Sequence, residues 1–409
     1  MTRPAKKLPS FGVIQAALRR TSEHLVREVV APSPQTPAWT DFEWIVAKSV
    51  SDMQGIAALL ANRLRWQPPS AFKAFLDDQL AHGRARHEQA DVLLRKLDSA
   101  LRGLGVAAVA LKGSAMRALG LHGAGERPMG DIDLLVRPAD TAACARVLGD
   151  LDYELLYSSR RHDVFAPRAR QLVREFGEHR NHALKVEVHT RVYELLPVRE
   201  IDITHAIWSQ MPHAGLNSYA SAAALLRHVL LHAANCLRAN AARFIQIYDI
   251  ALLAKRMKAT DWTGLLGDDG ERTWWMFPPL ALASRYVPGS VPAEILAHSR
   301  DLCTHWLRLR YASRELHDVT WCNLRIAALP GVEWSRTPGD VLRFVRSRLL
   351  PDRVARAELA DTAVSQPALM QLPWYGISHT ERVVRWLFTR PPRVQTISAI
   401  AAAVQAEAP

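Results

Sequence analysis

The chain has 409 residues, enough for two or three folding units and a sizeable core. Hydrophobic residues make up 49%, ordinary for a globular protein, and the apolar runs "VAAVAL" and "AIAAAV" are far shorter than the ~18 to 20 residues of a membrane span. A formal net charge of +12 favours anionic partners such as nucleotides, nucleic acid, an acidic protein or a membrane surface, although arginine-rich composition can also follow from genome base composition.

The opening "MTRPAKKLPSFGVIQAALRR" is basic but has neither a continuous apolar core nor a small-residue cleavage site. It does not resemble an export signal, and the expected compartment is the cytoplasm. Residues 1–95 read as a helical extension broken at "APSPQTPAWT" and "WQPPS". From Ala71 to about Arg102, Phe72, Phe75, Leu76, Leu80, Leu93, Leu94 and Leu97 recur mostly at helical spacing. That helix leads to "VAAVALK", a short buried strand bounded by Gly105 and Gly113. A helix beginning at Ser114, a glycine-rich loop from Gly120 to Gly130, the strand "DIDLLV" and a helix opened by Pro138 and Asp140 follow. Further strands are expected at "YELLYSS" and "ALKVEVHTRVYE".

Strands alternating with helices over 96–212 imply a mixed sheet covered by helices. Residues 213–330 read as a helical domain, and 331–409 as a basic tail with amphipathic helices. Cys144, Cys236, Cys303 and Cys322 lack any CxxC spacing and read as reduced, semi-buried fillers.

Within "DIDLL", Asp131 and Asp133 share one strand face while Ile132 and Leu134 take the other. Two like charges on one face repel across ~7 Å, and a divalent cation relieves that repulsion. Upstream, "LKGS" joins a strand end to a helix start. There Ser114 can cap free amides, Gly113 lets a phosphate approach the backbone, and Lys112 can supply a point charge. In "KVEVH" the same apolar/acidic alternation makes Glu187 the candidate third carboxylate, with His189 on its face.

The segments "LKGSAMRALG…ERPMGDIDLLVRP", "VEVH" and "LLRHVLLHAA…IYDIALL…DW" resemble the uncharacterised nucleotidyltransferase family of the DNA polymerase β-like superfamily, over roughly residues 90 to 270. The resemblance implies an α+β fold: a polymerase β-like mixed sheet flanked by helices, with a helical N-terminal extension and an all-α C-terminal region. It implies transfer of a nucleoside monophosphate from an NTP to an acceptor hydroxyl, with Mg²⁺ or Mn²⁺. On that basis Asp131 and Asp133 match the metal-binding pair, Glu187 the third carboxylate, and Gly113 with Ser114 the phosphate turn. Lys112, Arg127 and Asp249 match typical family positions. The interval from Ser114 to Asp131 is longer than in compact superfamily members, so the glycine loop must fold away from the nucleotide or over it.

Arg127 could clamp phosphates from that loop, and His228 and His232 form an i, i+4 pair with no third metal ligand beside them, which favours a structural role. Asp249 is a lone carboxylate in an apolar helix, suited to pairing with one of those histidines. The acceptor is open among a small molecule, a peptide, a protein or an RNA end. Two rival readings stand beside the enzyme: a non-catalytic nucleotide-binding module, and a basic nucleic-acid-binding protein. The tail segments "DVLRFVRSRLLPDRVARAEL" and "HTERVVRWLFTRPPR" could also lie on a membrane surface.

Overall fold

Three helices, α1 (Phe11–Val30), α2 (Asp41–Met53) and α3 (Ala57–Arg63), lead into a fourth of 34 residues, α4 (Ser70–Gly103). The computed structural model describes residues 8–171, 173, 176–267, 273–325, 329–350, 373–389 and 392–406. α2 starts where Thr40 and Glu43 close a capping box: the Glu43 N–H donates to Thr40 Oγ1 and the Thr40 N–H to Glu43 Oε2. In α4, Phe72, Leu76, Leu80, Leu93, Leu97 and Leu101 are buried, as their helical spacing predicts.

The chain then forms β1 (Ala107–Ala110), α5 (Lys112–Ala118), β2 (Asp131–Val136), α6 (Thr141–Asp150), β3 (Tyr153–Ser158), β4 (His162–Pro167) and β5 (Lys185–His189). A small ribbon of β6 (Tyr193–Leu195) and β7 (Glu200–Asp202), the short α7 (Thr204–Ile207) and β8 (Gly215–Asn217) follow. The main sheet has six strands in the order β3-β4-β5-β2-β1-β8, with β2 parallel to β5 and antiparallel to β1. The fold is thus α+β, with helical regions before and after a mixed sheet.

Three sequence expectations need correction. The helix after β1 starts at Lys112 rather than Ser114, because Lys112 takes a left-handed φ of 42° and turns the chain directly out of the strand. Leu111 is the N-cap, and Ser114 lies buried inside the helix. The strand expected over "ALKVEVHTRVYE" is two strands in different sheets, since β6 leaves β5 to pair with β7. β4, β7 and β8 were not legible: they are short, and β8 becomes a strand by docking parallel to β1.

The C-terminal region is helical: α8 (Ala222–Arg238), α9 (Phe244–Ala254), α10 (Ala259–Leu266), α11 (Phe277–Tyr286), α12 (Ala293–Leu302), α13 (His305–Ala312), α14 (Leu316–Val319) and α15 (Pro338–Leu349), then helices at Pro373–Gly376, His379–Thr389 and Val394–Ala406. The stretch of basic tail at 351–372 lies outside the described residues. Among the described residues, no helix is long and apolar enough to cross a membrane.

The two faces of the sheet enter different cores. Ile132, Leu134, Val136, Val186 and Val188 pack with Leu93, Leu97 and Leu101 of α4 and Val147 and Leu148 of α6. On the opposite face, Val109 and Leu135 join a larger core that also contains Val46 and Val50 of α2, Leu226 and Leu230 of α8, and Ile400 of the last helix. The N-terminal helices and the C-terminal helices therefore close over the same sheet face that carries the aspartates. Four cysteines are free, three of them buried.

Candidate active site

The register of β2 against β5 decides the geometry. Asp133 lies opposite Glu187 and Leu135 opposite His189, so both acidic positions share a face, with Asp131 two residues up the strand. Next to β5, His162 of β4 lies opposite His189. Strand pairing thus assembles a charged row, Asp133, Glu187, His189 and His162, from three separate segments.

Asp133 is 5% exposed and heavily contacted. Its Oδ1 accepts from Lys112 Nζ and meets His189 Nε2, each at 3.1 Å. Burial opposes its charge, but Lys112 and His189 outweigh burial and hold this carboxyl well below the ordinary range. Glu187 Oε2 lies 3.5 Å from His189 Nε2 and 3.6 Å from His162 Nε2. Its pKa is also lowered, with burial opposed by the His189 hydrogen bond. His189 is raised in turn: Asp133 and Glu187 overcome the effect of burial. Burial likewise works against the Lys112 charge, and Asp133, Asp131 and Glu187 raise it regardless.

Asp131 differs from its neighbours. It is half-buried, its carboxylate makes no hydrogen bond with another described residue, and burial, with the charges of Asp133 and Glu187, pushes that carboxyl up to about 7. Lys112 and Arg127 offset this only in part, so of the three carboxylates Asp131 is the one whose negative charge is least compensated by the protein itself.

Behind these side chains the backbone turn is held from α8. The Lys112 N–H donates to Tyr219 Oη at 3.0 Å, and the Tyr219 hydroxyl donates to His228 Nδ1 at 2.7 Å. Burial, reinforced by Lys112, keeps His228 well below its usual pKa, so the ring is neutral and accepts. His228 is thereby a buttress for the turn. His232, its i+4 neighbour, points elsewhere: Cys236 raises it, against burial, to about 10, and Gln246 Nε2 lies 3.0 Å from its Nε2. The two histidines share no ligand.

The glycine loop folds away from the site. Gly125, at φ 79°, packs its backbone against Gly83 and Arg84 of α4, so closely that a Cβ at Gly125 would lie 2.7 Å from the Gly83 carbonyl carbon. The loop then returns along the site. Arg127 Nε donates to Asp249 Oδ2 at 3.0 Å, and His122 Nε2 lies 2.7 Å from the other oxygen. Asp249 therefore pairs with His122 and Arg127 rather than with His228 or His232, because the loop brings them over α9. So tethered, the Arg127 guanidinium lies over Gly113: a Cβ there would be 2.8 Å from Nη1.

A cavity of about 260 Å³ opens between these parts, lined by Lys112, Gly113, Arg127, Asp131, Asp133 and Arg243 among others. The structure thus brings together on this wall six of the eight residues that the family resemblance singled out, Asp249 among them. Glu187 and Ser114 are not on its wall. Glu187 stands behind Asp133 against the two histidines, and Ser114 is buried with a hydroxyl that has no hydrogen-bond partner. Arg243, His162 and His122 were missed. Arg243 reaches the cavity from the start of α9 while donating to the carbonyls of Asp52 and Met53, a contact across about 190 residues with no local signature.

Oxygen donors of Asp131, Asp133 and Glu187 are of the hard type that Mg²⁺ or Mn²⁺ prefers. The poorly compensated Asp131 carboxylate at the cavity wall fits a cation, and Lys112, Arg127 and Arg243 beside it fit a polyanion. Among the described residues here, the grouping whose ligand atoms lie within 4.8 Å of one another is His162, Glu187 and His189, not the three carboxylates.

A mixed sheet carrying paired carboxylates beside a basic cavity defines a nucleotidyltransferase-like site. The chain belongs to an uncharacterised nucleotidyltransferase family, whose model matches residues 40–276. Placement in the polymerase β-like superfamily is consistent with that match, and the general class of activity is nucleotidyl transfer. The match begins at the N-cap of α2, so it takes in most of the N-terminal helices as well as the sheet. No curated protein and no solved structure matches the chain.

Proposed function

We propose that the chain transfers a nucleoside monophosphate from an NTP to a hydroxyl of an acceptor, a small molecule, peptide or protein, in a reaction dependent on Mg²⁺ or Mn²⁺. Asp131 and Asp133 hold the metal, with Glu187 beside them. The observation that carries this reading is the register of β2 on β5, which puts Asp133 opposite Glu187 and leaves Asp131 without a partner at a cavity rimmed by Lys112, Arg127 and Arg243.

When bound, a divalent ion supplies charge neutralisation to the triphosphate and to the pyrophosphate that leaves. Lys112 and Arg127 hold phosphate oxygens, Arg127 pre-oriented by Asp249 so that little side-chain freedom is lost on binding. Gly113, having no side chain, lets the Arg127 guanidinium lie over its backbone at the cavity wall, where both face the phosphates. The acceptor oxygen bonds to the α-phosphorus as the bond from that phosphorus to the bridging oxygen breaks, releasing pyrophosphate. Glu187, ionised at neutral pH but set back from the cavity wall, takes the hydroxyl proton only if the acceptor reaches past Asp133; otherwise the proton leaves to water. A larger cleft of about 540 Å³, which shares Gly130 and Arg243 with the first and is also lined by Asp52, Glu178 and Trp321, offers the acceptor a place between the sheet and the C-terminal helices.

The test is a panel of NTPs labelled at the α-phosphate, incubated with cell lysate and Mg²⁺ or Mn²⁺. Label transfer and pyrophosphate release that disappear in Asp131→Asn and Asp133→Asn support the enzyme. Tight NTP binding without turnover indicates a nucleotide-binding module instead. Salt-sensitive nucleic-acid binding indifferent to both substitutions indicates that the basic surface is the functional one.

A further inference from the structure

Outside the cavity lining, α1 and α14 meet through three ionisable side chains. Glu23 projects from α1, and Glu315 and His317 lie at the start of α14; their ligand atoms all fall within 4.8 Å of one another. His317 is 7% exposed. Its Nε2 is 3.1 Å from Asp318 Oδ1. Its Nδ1 lies 3.3 Å from Glu315 Oε2 and 3.8 Å from Glu23 Oε1, yet it is buried with no hydrogen-bond partner. A buried ring nitrogen aimed at two carboxylates without a well-formed hydrogen bond leaves a place for a cation between them.

We propose that Glu23, Glu315 and His317 form a second metal site, for a first-row transition ion such as Zn²⁺, whose role is to clasp α1 to α14. One imidazole and two carboxylates neutralise a divalent ion and leave a fourth, water-filled position. The nitrogen donor favours zinc-like ions over Mg²⁺, which prefers an all-oxygen octahedron. The surroundings hold the ligands ready. Tyr286 Oη donates to both Glu23 oxygens at 3.1 and 2.9 Å, Arg19 steadies Glu315 at 2.9 Å, and Asp318 behind His317 completes the carboxylate–histidine–metal arrangement. Tetrahedral zinc needs donor atoms about 3.3 Å apart, so side-chain rotations of about 1 Å close the site. Because Glu23 and His317 are 294 positions apart, the ion would fasten the first helix to a distant part of the chain.

The experiment uses the full chain carrying Asp131→Asn, Asp133→Asn, His162→Gln and Glu187→Gln, so that zinc cannot report on the carboxylates of β2 or on the His162, Glu187 and His189 grouping. After EDTA treatment, Zn²⁺ is titrated by calorimetry at pH 7.5, Co²⁺ binding is followed by its visible spectrum, and unfolding is recorded with and without zinc. The proposal expects one equivalent of Zn²⁺, a rise in Tm, and a tetrahedral Co²⁺ spectrum. His317→Gln or Glu23→Gln should weaken binding at least ~10-fold and abolish the Tm rise, and Asp318→Asn should weaken it to a lesser degree. Glu315→Gln, at a more exposed position, should lose affinity without lowering the metal-free Tm, which covers the case of a His317 variant that does not fold. Binding that is absent, or unchanged in the Glu23 and Glu315 variants, overturns the proposal. So does a cluster whose stability responds to pH alone, since a proton on Nδ1 would then be the cation.

Discussion

Replacing Asp131 by Asn should abolish nucleotidyl transfer and at the same time stabilise the metal-free protein. The carboxyl is pushed from 3.8 to about 7 by burial and by Asp133 and Glu187, so the folded state binds its proton more tightly than the unfolded state does. For an acid displaced upward the penalty is absent below about pH 4, grows as pH rises, and is complete above about pH 7. A full displacement of this size is worth ~4 kcal/mol, and solvent contact at half-buried Asp131 reduces it to on the order of 1–2 kcal/mol. With an unfolding entropy of ~2.1 cal/mol/K per residue over 409 residues, that is a Tm gain of about 1–2 °C at pH 8, shrinking to nothing near pH 4. Calorimetric unfolding of wild type and Asp131→Asn in EDTA across pH 4–8 measures it. Adding Mg²⁺ at pH 8 should then raise the wild type and leave the variant unmoved, by roughly 2.7 kcal/mol at a hundredfold excess over Kd. A variant equal to or below wild type at pH 8, or a gap that does not widen between pH 4 and 8, would refute the claim that mutual carboxylate repulsion is stored in this strand.

Three other outcomes follow from the same contacts. Arg127→Ala should raise the KM for NTP by roughly 10- to 100-fold, as loss of a charge-assisted phosphate contact implies; Asp249→Asn should raise it less, and steady-state kinetics on both variants checks the order. Gly125→Ala combines a left-handed φ with a backbone overlap on α4 and should cost about 2–4 kcal/mol, whereas Gly120→Ala, at a similar φ in open space, should cost about 1 kcal/mol; thermal unfolding distinguishes them. At Asp340, burial raises the pKa but Arg199 and Arg343 lower it further, to about 2. Its contribution of ~2 kcal/mol is therefore present above about pH 4 and lost as pH falls toward 2, so Asp340→Asn should be less stable than wild type at pH 7 and converge with it near pH 2.

The sequence by itself determined the elements whose signal is local. The alternation in "DIDLLV" and "KVEVH" places acids and apolar residues on opposite faces whatever the neighbours do, and the structure keeps Asp131 and Asp133 on the face opposite Ile132 and Leu134. The long helix before β1, with its helical repeat of apolar residues, was legible for the same reason. Tertiary structure decided everything that depends on which segments meet. Asp249 found His122 and Arg127 across more than 120 positions, Arg243 reached the cavity by bonding to the carbonyls of Asp52 and Met53, and β8 became a strand by docking on β1. Such partners carry no spacing rule, because a side chain's charge is local to the sequence while the group that balances it is chosen by how the chain closes on itself.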